Sequence, residues 1–103
     1  MQAILASMVD GLVAVDKEGR ITMANRAAER LFMLQEEHLL GQTFETLLNT
    51  TDLHNTIIKV LKTGVESRAE YNIFPNQENI YRINIVPLKG ENDEIEGALA
   101  VFH

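Results

Sequence analysis

His54 is the first residue in this chain of 103 whose type and setting invite a chemical role. It stands three residues before Ile57, four before Ile58 and seven before Leu61. On a helix, that spacing puts the imidazole on or beside an apolar stripe. It is therefore either a donor turned toward the interior or a helix histidine near its cap. Arg82 alternates with apolar neighbours, and its guanidinium could fork a ligand carboxylate. The simpler role is a solvated sheet position or a pair with Glu70. Asn25 could point into a pocket, although capping the helix that follows is a sufficient role for it. Tyr71 and Tyr81 offer hydroxyls to a pocket or rings to the core. Glu36, Glu37 and His38 have metal-binding atom types, but three consecutive residues on a helical turn diverge, so they read as solvated charge.

The rest of the chain lacks the parts of an enzyme. There is no cysteine. That removes disulfides, thiolate metal sites and cysteine nucleophiles, and it fits a reducing cytoplasm. No glycine-rich phosphate loop and no Ser–His–Asp context is present. Nine Lys and Arg against fifteen Asp and Glu give a net charge of −6, which argues against nucleic acid and against an anionic membrane surface. Apolar runs are far too short to span a membrane. Met1 to Gly11 lacks a basic start and carries Asp10, unlike a signal peptide.

The length suits one domain. Residues 2–9 follow helical spacing. Leu12 to Asp16 and Arg20 to Ala24 read as a hairpin about Lys17-Glu18-Gly19. Asn25 opens a helix with Ala27, Ala28, Leu31, Phe32 and Leu34 as its buried stripe, and Met23 and Met33 read as core fillers. A helical turn at 36–40 stops at Gly41, and Thr43 opens another with Phe44, Leu47 and Leu48. Asp52 is expected to cap a helix over 53–62 that buries Leu53, Ile57, Val60 and Leu61. Strands follow over 67–73, 80–88 and 95–102, with turns at Pro75-Asn76-Gln77 and 90–93. Strands at both ends of a helical middle predict an α+β fold with one five-stranded antiparallel sheet and short helices on one face.

The first and last strands are apolar on both faces, so both faces need cover. Period-2 alternation does not say which set points inward. We take Val13, Val15, Leu99 and Val101 as an outer patch, with Ile4, Leu5, Met8 and Val9 of the N-terminal helix over it. Two copies meeting there would share one symmetric interface, so a homodimer is expected. A small ligand, if one binds, is expected between the sheet and the 53–62 helix. Ile57, Leu61, Tyr81 and Ile83 would form walls there, Arg82 a polar anchor, and His54 and Asn25 further candidate contacts.

Several strings in this order resemble the PAS family: Ser7 to Asp16, Asp16-Lys17-Glu18-Gly19-Arg20-Ile21, Asn25-Arg26-Ala27-Ala28-Glu29, Leu40-Gly41-Gln42 with Phe44 and Leu47, and Ile83 to Leu88 followed by Ile95-Glu96-Gly97. The resemblance covers essentially the whole chain. It implies one PAS domain over 1–103, with residues 1–10 as its N-terminal helix and 11–103 as its core, excised from a longer multidomain protein. The implied role is a cytoplasmic sensory and dimerisation module, without catalysis of its own, relaying a signal to an output domain in the same parent chain. The pattern is most similar to that of two-component sensor histidine kinases, whose parent protein can be membrane-anchored. Transcription activators and cyclic-dinucleotide enzymes carry similar modules. Haem-binding members use a histidine on the helix equivalent to 53–62, which makes His54 the candidate axial ligand; otherwise no cofactor is implied. The missing cysteine departs from the flavin photoreceptor branch.

Overall fold

A computed structural model describes residues 10–48, 50–74 and 79–103. The chain begins there with strand β1, Gly11–Val15, and turns at Asp16, whose carboxylate accepts from the Glu18 and Arg20 backbone N–H groups at 2.9 and 3.0 Å. Such an Asx turn closes the hairpin to β2, Ile21–Ala24. Helix α1 (Arg26–Phe32) ends where Met33 takes a left-handed conformation, φ 58°. Helices α2 (Glu36–Leu39) and α3 (Phe44–Leu47) follow, the latter capped by the Thr43 hydroxyl, which accepts from Thr46 N–H. Then come α4 (Asp52–Thr63), β3 (Ser67–Tyr71), β4 (Tyr81–Lys89) and β5 (Ile95–Phe102).

The five strands form one antiparallel sheet in the order β2-β1-β5-β4-β3, as the strand–helix–strand pattern predicts. The last strand in sequence is thus the central one. Helix α1 packs on β1, and α4 on β3, β4 and β5. One edge is closed by the chain itself. Ile21 N–H donates to Gln42 O and Gly41 N–H to Ile21 O, each at 2.8 Å, so β2 has few free backbone groups to offer another strand.

Register corrects the expectation for the first strand. Val13 pairs with Ala100 and Val15 with Ala98, and all four are buried in the core. Leu12, opposite Val101, and Ala14, opposite Leu99, occupy the other face. Val13 and Val15 therefore leave the outer patch, while Leu99 and Val101 stay in it as half-buried side chains. The physical reason is the helical layer. The face that meets Phe44 and Leu53 must carry the deeper apolar set, and pairing with Ala98 and Ala100 gives Val13 and Val15 that position.

Smaller corrections follow from helix ends. Thr51, not Asp52, precedes α4, and no side chain caps it. Because α1 stops at Phe32, Leu34 falls outside its stripe and is partly exposed, while Met33 is 87% exposed and so is not a core filler. Met23 also lies largely outside the core, on the face of Ala14. Strand β3 ends at Tyr71, yet Ile73 is buried beyond it. The expected 2–9 helix, with Ile4, Leu5 and Met8, and the turn at 75–77 lie outside the described residues.

Two glycines divide the steric demands of the fold. A methyl group at Gly97 would run into the backbone carbonyl oxygen of Val15, so β5 can lie against β1 only without a side chain there. Gly41 has open space around its Cα, and its constraint is φ 83° alone. Gly97→Ala is expected to cost more than about 2 kcal/mol, because backbone must move. Gly41→Ala should cost about 1 kcal/mol, the left-handed penalty. Urea denaturation of both variants checks this; equal losses would be incompatible with a backbone clash at Gly97.

Candidate functional site

Four of the residues named as pocket walls belong to or border the core. Ile57 and Ile83 are fully buried there, and Leu61 and Tyr81 pack against the same core. The core also carries an aromatic cluster. Phe44 and Phe102 have ring centroids 5.7 Å apart, and Phe32 sits 5.9 Å from Phe44, 5.6 Å from Phe102 and 6.1 Å from Phe74. Tyr81 meets Phe74 edge-on at 6.0 Å. These are the tilted and T-shaped separations that aromatic quadrupoles favour. Ile57 and Ile83 are thus buried core residues. The Tyr71 hydroxyl donates to Thr56 Oγ1 at 3.0 Å, tying β3 to α4.

Asn25 and Arg82 lie apart from that core. Asn25 Oδ1 accepts from Leu12 N–H and Ala28 N–H, each at 2.9 Å, and its Nδ2 donates to Asp10 O at 3.1 Å. Asn25 N–H in turn donates to Leu12 O at 3.0 Å. One amide therefore caps α1, extends the β1–β2 ladder and holds the residue before β1. Its polar atoms are committed to backbone, which corrects its candidacy as a ligand contact. Arg82 is exposed and pairs in register with Glu70, with its side chain on the face opposite Ile83. That corrects its role as an anchor inside the helix–sheet space, because alternation along β4 turns it the other way.

His54 is half-buried and lies against the β1–β2 turn. Its ring and Ile58 are the nearest neighbours of Gly19. Its Nδ1 is enclosed without a hydrogen-bond partner among the described residues. The imidazole thus faces a turn rather than the phenylalanine-filled interior.

Two carboxylates do work the sequence did not reveal. Glu36 Oε2 accepts from Ala24 N–H at 2.9 Å, and Glu29 Oε2 accepts from Glu36 N–H at 2.7 Å. Glu36 is thus a bridge between α2 and β2 rather than solvated charge, whereas Glu37 and His38 are exposed. No sequence spacing marks His103 either. It follows Phe102 in the central strand, and its Nδ1 lies 3.1 Å from Asp10 Oδ2, so the residues flanking β1 and β5 meet. Only the antiparallel pairing of those strands could have shown it.

Asn25→Ala is expected to cost roughly 2–3 kcal/mol, through the lost cap and two orphaned N–H groups. Asn25→Asp keeps both acceptor contacts and adds favourable charge at a helix start, so its loss should stay below about 1 kcal/mol. Chemical denaturation of the two variants tests this, and a purely ligand-directed Asn25 would leave both near wild-type stability.

Comparisons with known proteins agree with this architecture. A family model described as PAS fold matches residues 1–103. The signal transduction histidine-protein kinase AtoS of Escherichia coli is 29% identical over 101 residues, covering 96% of this chain and 17% of that protein. The sensor histidine kinase DcuS of Escherichia coli is 31% identical over 101 residues, covering 98% and 18%. This chain therefore spans under a fifth of these relatives. Among solved structures, the PAS domain of histidine kinase ThkA superposes with a TM-score of 0.78 at 23% identity, covering 90% of this chain and 97% of that one. Histidine kinase ThkA in complex with the response regulator protein TrrA gives 0.80 at 24%, covering 100% and 30%. With its β2-β1-β5-β4-β3 sheet, its helices on one face and a family match over its full length, this chain belongs to the PAS fold family.

Proposed function

We propose that this chain is a sensory and dimerisation module that relays conformational change to an output domain, most closely that of a two-component sensor histidine kinase. The observation that carries this reading is the two-sided sheet of a chain whose relatives are named as such kinases. One face is filled by core. The other presents Leu12, Ala14, Leu99 and Val101 in register across its two central strands. Contiguous apolar side chains on an outer sheet face suit contact with a helix or a second copy. The N-terminal residues Ile4, Leu5 and Met8 are the segment proposed to lie over it, and the same patch on two copies would make an isologous dimer. A shift of that face would then reorient helices leading to the output domain.

In this reading the module is non-catalytic and cytoplasmic, and any kinase activity belongs to the parent. Among the described residues no helix is long and apolar enough to cross a membrane, and no group of acidic and histidine side chains could hold a metal ion. Haem is not part of the proposal. A porphyrin would have to displace Phe32, Phe44 and Phe102, and His54 faces Gly19.

Leu99→Glu is expected to convert a dimer to a monomer, and Leu5→Glu with Met8→Glu to do the same. Molar mass by light scattering reads both outcomes, and a wild-type monomer at high concentration would remove the dimer from this chain. Purified protein incubated with haemin should show no saturable Soret band that depends on His54. A band abolished by His54→Ala would instead establish a haem sensor.

A further inference from the structure

The cleft between α1 and the ends of β4 and β5 differs in chemistry from three other hollows on the described surface. It encloses about 390 Å³, within the range of small-molecule sites. Leu31, Tyr81 and Phe102 give it apolar walls, and Arg30 and His103 give it two basic groups. Its lining carries no carboxylate, and the nearest one, on Asp10, pairs with His103 at the rim. Three further hollows each include one: Glu66 beside Lys59 and Arg68 in the α4–β3 cleft, and Glu29 in the two around Arg26. An apolar wall with cationic donors, one of them held only by an exposed rim carboxylate, is complementary to an amphipathic acid.

The rim already holds one carboxylate loosely. Asp10 Oδ2 lies 3.1 Å from His103 Nδ1, and both side chains are about two-fifths exposed, 42% and 37%. An ion pair so open to water contributes little and exchanges readily. The other ring nitrogen lies 3.4 Å from Asn84 Nδ2. Among the described residues, Arg30 has no carboxylate within ion-pair distance. An incoming carboxylate could therefore gain Arg30 and take over His103 from Asp10.

We infer that this cleft binds a small amphipathic monocarboxylate, its apolar body against Leu31 and Phe102 and its carboxylate between Arg30 and His103 in exchange with Asp10. Asp10 precedes β1 and accepts from Asn25 Nδ2, and His103 follows β5. Occupancy would thus act where the chain enters and leaves the sheet, without opening the core. The inference deepens the sensory reading but does not require the dimer.

The test is NMR titration of the ¹⁵N-labelled chain with 3-phenylpropionate, beside its neutral isostere 3-phenylpropanamide. The acid should shift the Gly11, Ala27, Leu31 and Phe102 amides saturably in the millimolar range, and the amide should bind at least about tenfold more weakly, the value of a charge-assisted contact. Arg30→Gln, at an exposed position, should weaken the acid about tenfold as well, and Asp10→Asn should tighten it by removing the competitor. Equal binding of acid and amide, shifts centred on Lys59 and Arg68, indifference to Arg30→Gln, or unchanged affinity in Asp10→Asn would each overturn the inference. Repeating the titration on Leu99→Glu separates it from the dimer: loss of the dimer with binding intact leaves this site standing, and absent binding in a dimeric wild type removes the site alone.

Discussion

Everything in this molecule depends on the pairing of Gly11–Val15 with Ala98–Phe102. These segments lie at opposite ends of the sequence, and their ladder is the middle of the sheet. Closing so long a loop costs chain entropy that must be recovered through burial. The recovery is concentrated at the same place. Val13, Val15, Ala98, Ala100 and Phe102 all lie on the inner face of this strand pair and are all buried. The close approach is made possible by Gly97, beside the Val15 carbonyl. Each neighbouring strand is then one further antiparallel addition, β2 beyond β1, and β4 with β3 beyond β5.

The middle of the chain is built to cover that inner face with short pieces. Among the described residues, only α4 is longer than two turns. Helices this short are unstable alone, so their positions are set by caps and packing. Asn25, Thr43, Glu29 and Glu36 satisfy backbone donors where the segments turn. The phenylalanines then fill the volume that irregular elements leave between them and the sheet. Outside that core lie the outer sheet face and the junction of Asp10 and His103.

That junction links fold and function physically. Because β5 is central and pairs with β1, the residues that enter and leave the domain are held side by side. In the proposed reading, a ligand or a second copy acting on either one would act on both. Asn25 adds a third tie, joining Asp10 and Leu12 to the start of α1. Only a few hydrogen bonds therefore separate the start of α1 from Asp10 and His103.

Local chemistry was legible in the residues themselves. Asn25 and Thr43 as caps, Gly41 as a stop, the Lys17-Glu18-Gly19 turn and the alternation of β4 each follow from interactions within a few positions, which the sequence contains in full. So did the number and order of strands, because burial imposes period 2 on any strand with a covered face. The sign of that alternation was not legible in β1, where both Leu12-Ala14 and Val13-Val15 are apolar. It was decided by which set met Ala98 and Ala100 under the helices. The committed amide of Asn25, the outward turn of Arg82, the bridging role of Glu36 and the meeting of His103 with Asp10 were likewise beyond the sequence. Each rests on atoms 12 or more residues apart, or on a face fixed by strand register. Such juxtapositions exist only once the sheet has closed, because long-range pairing rather than local propensity brings them together.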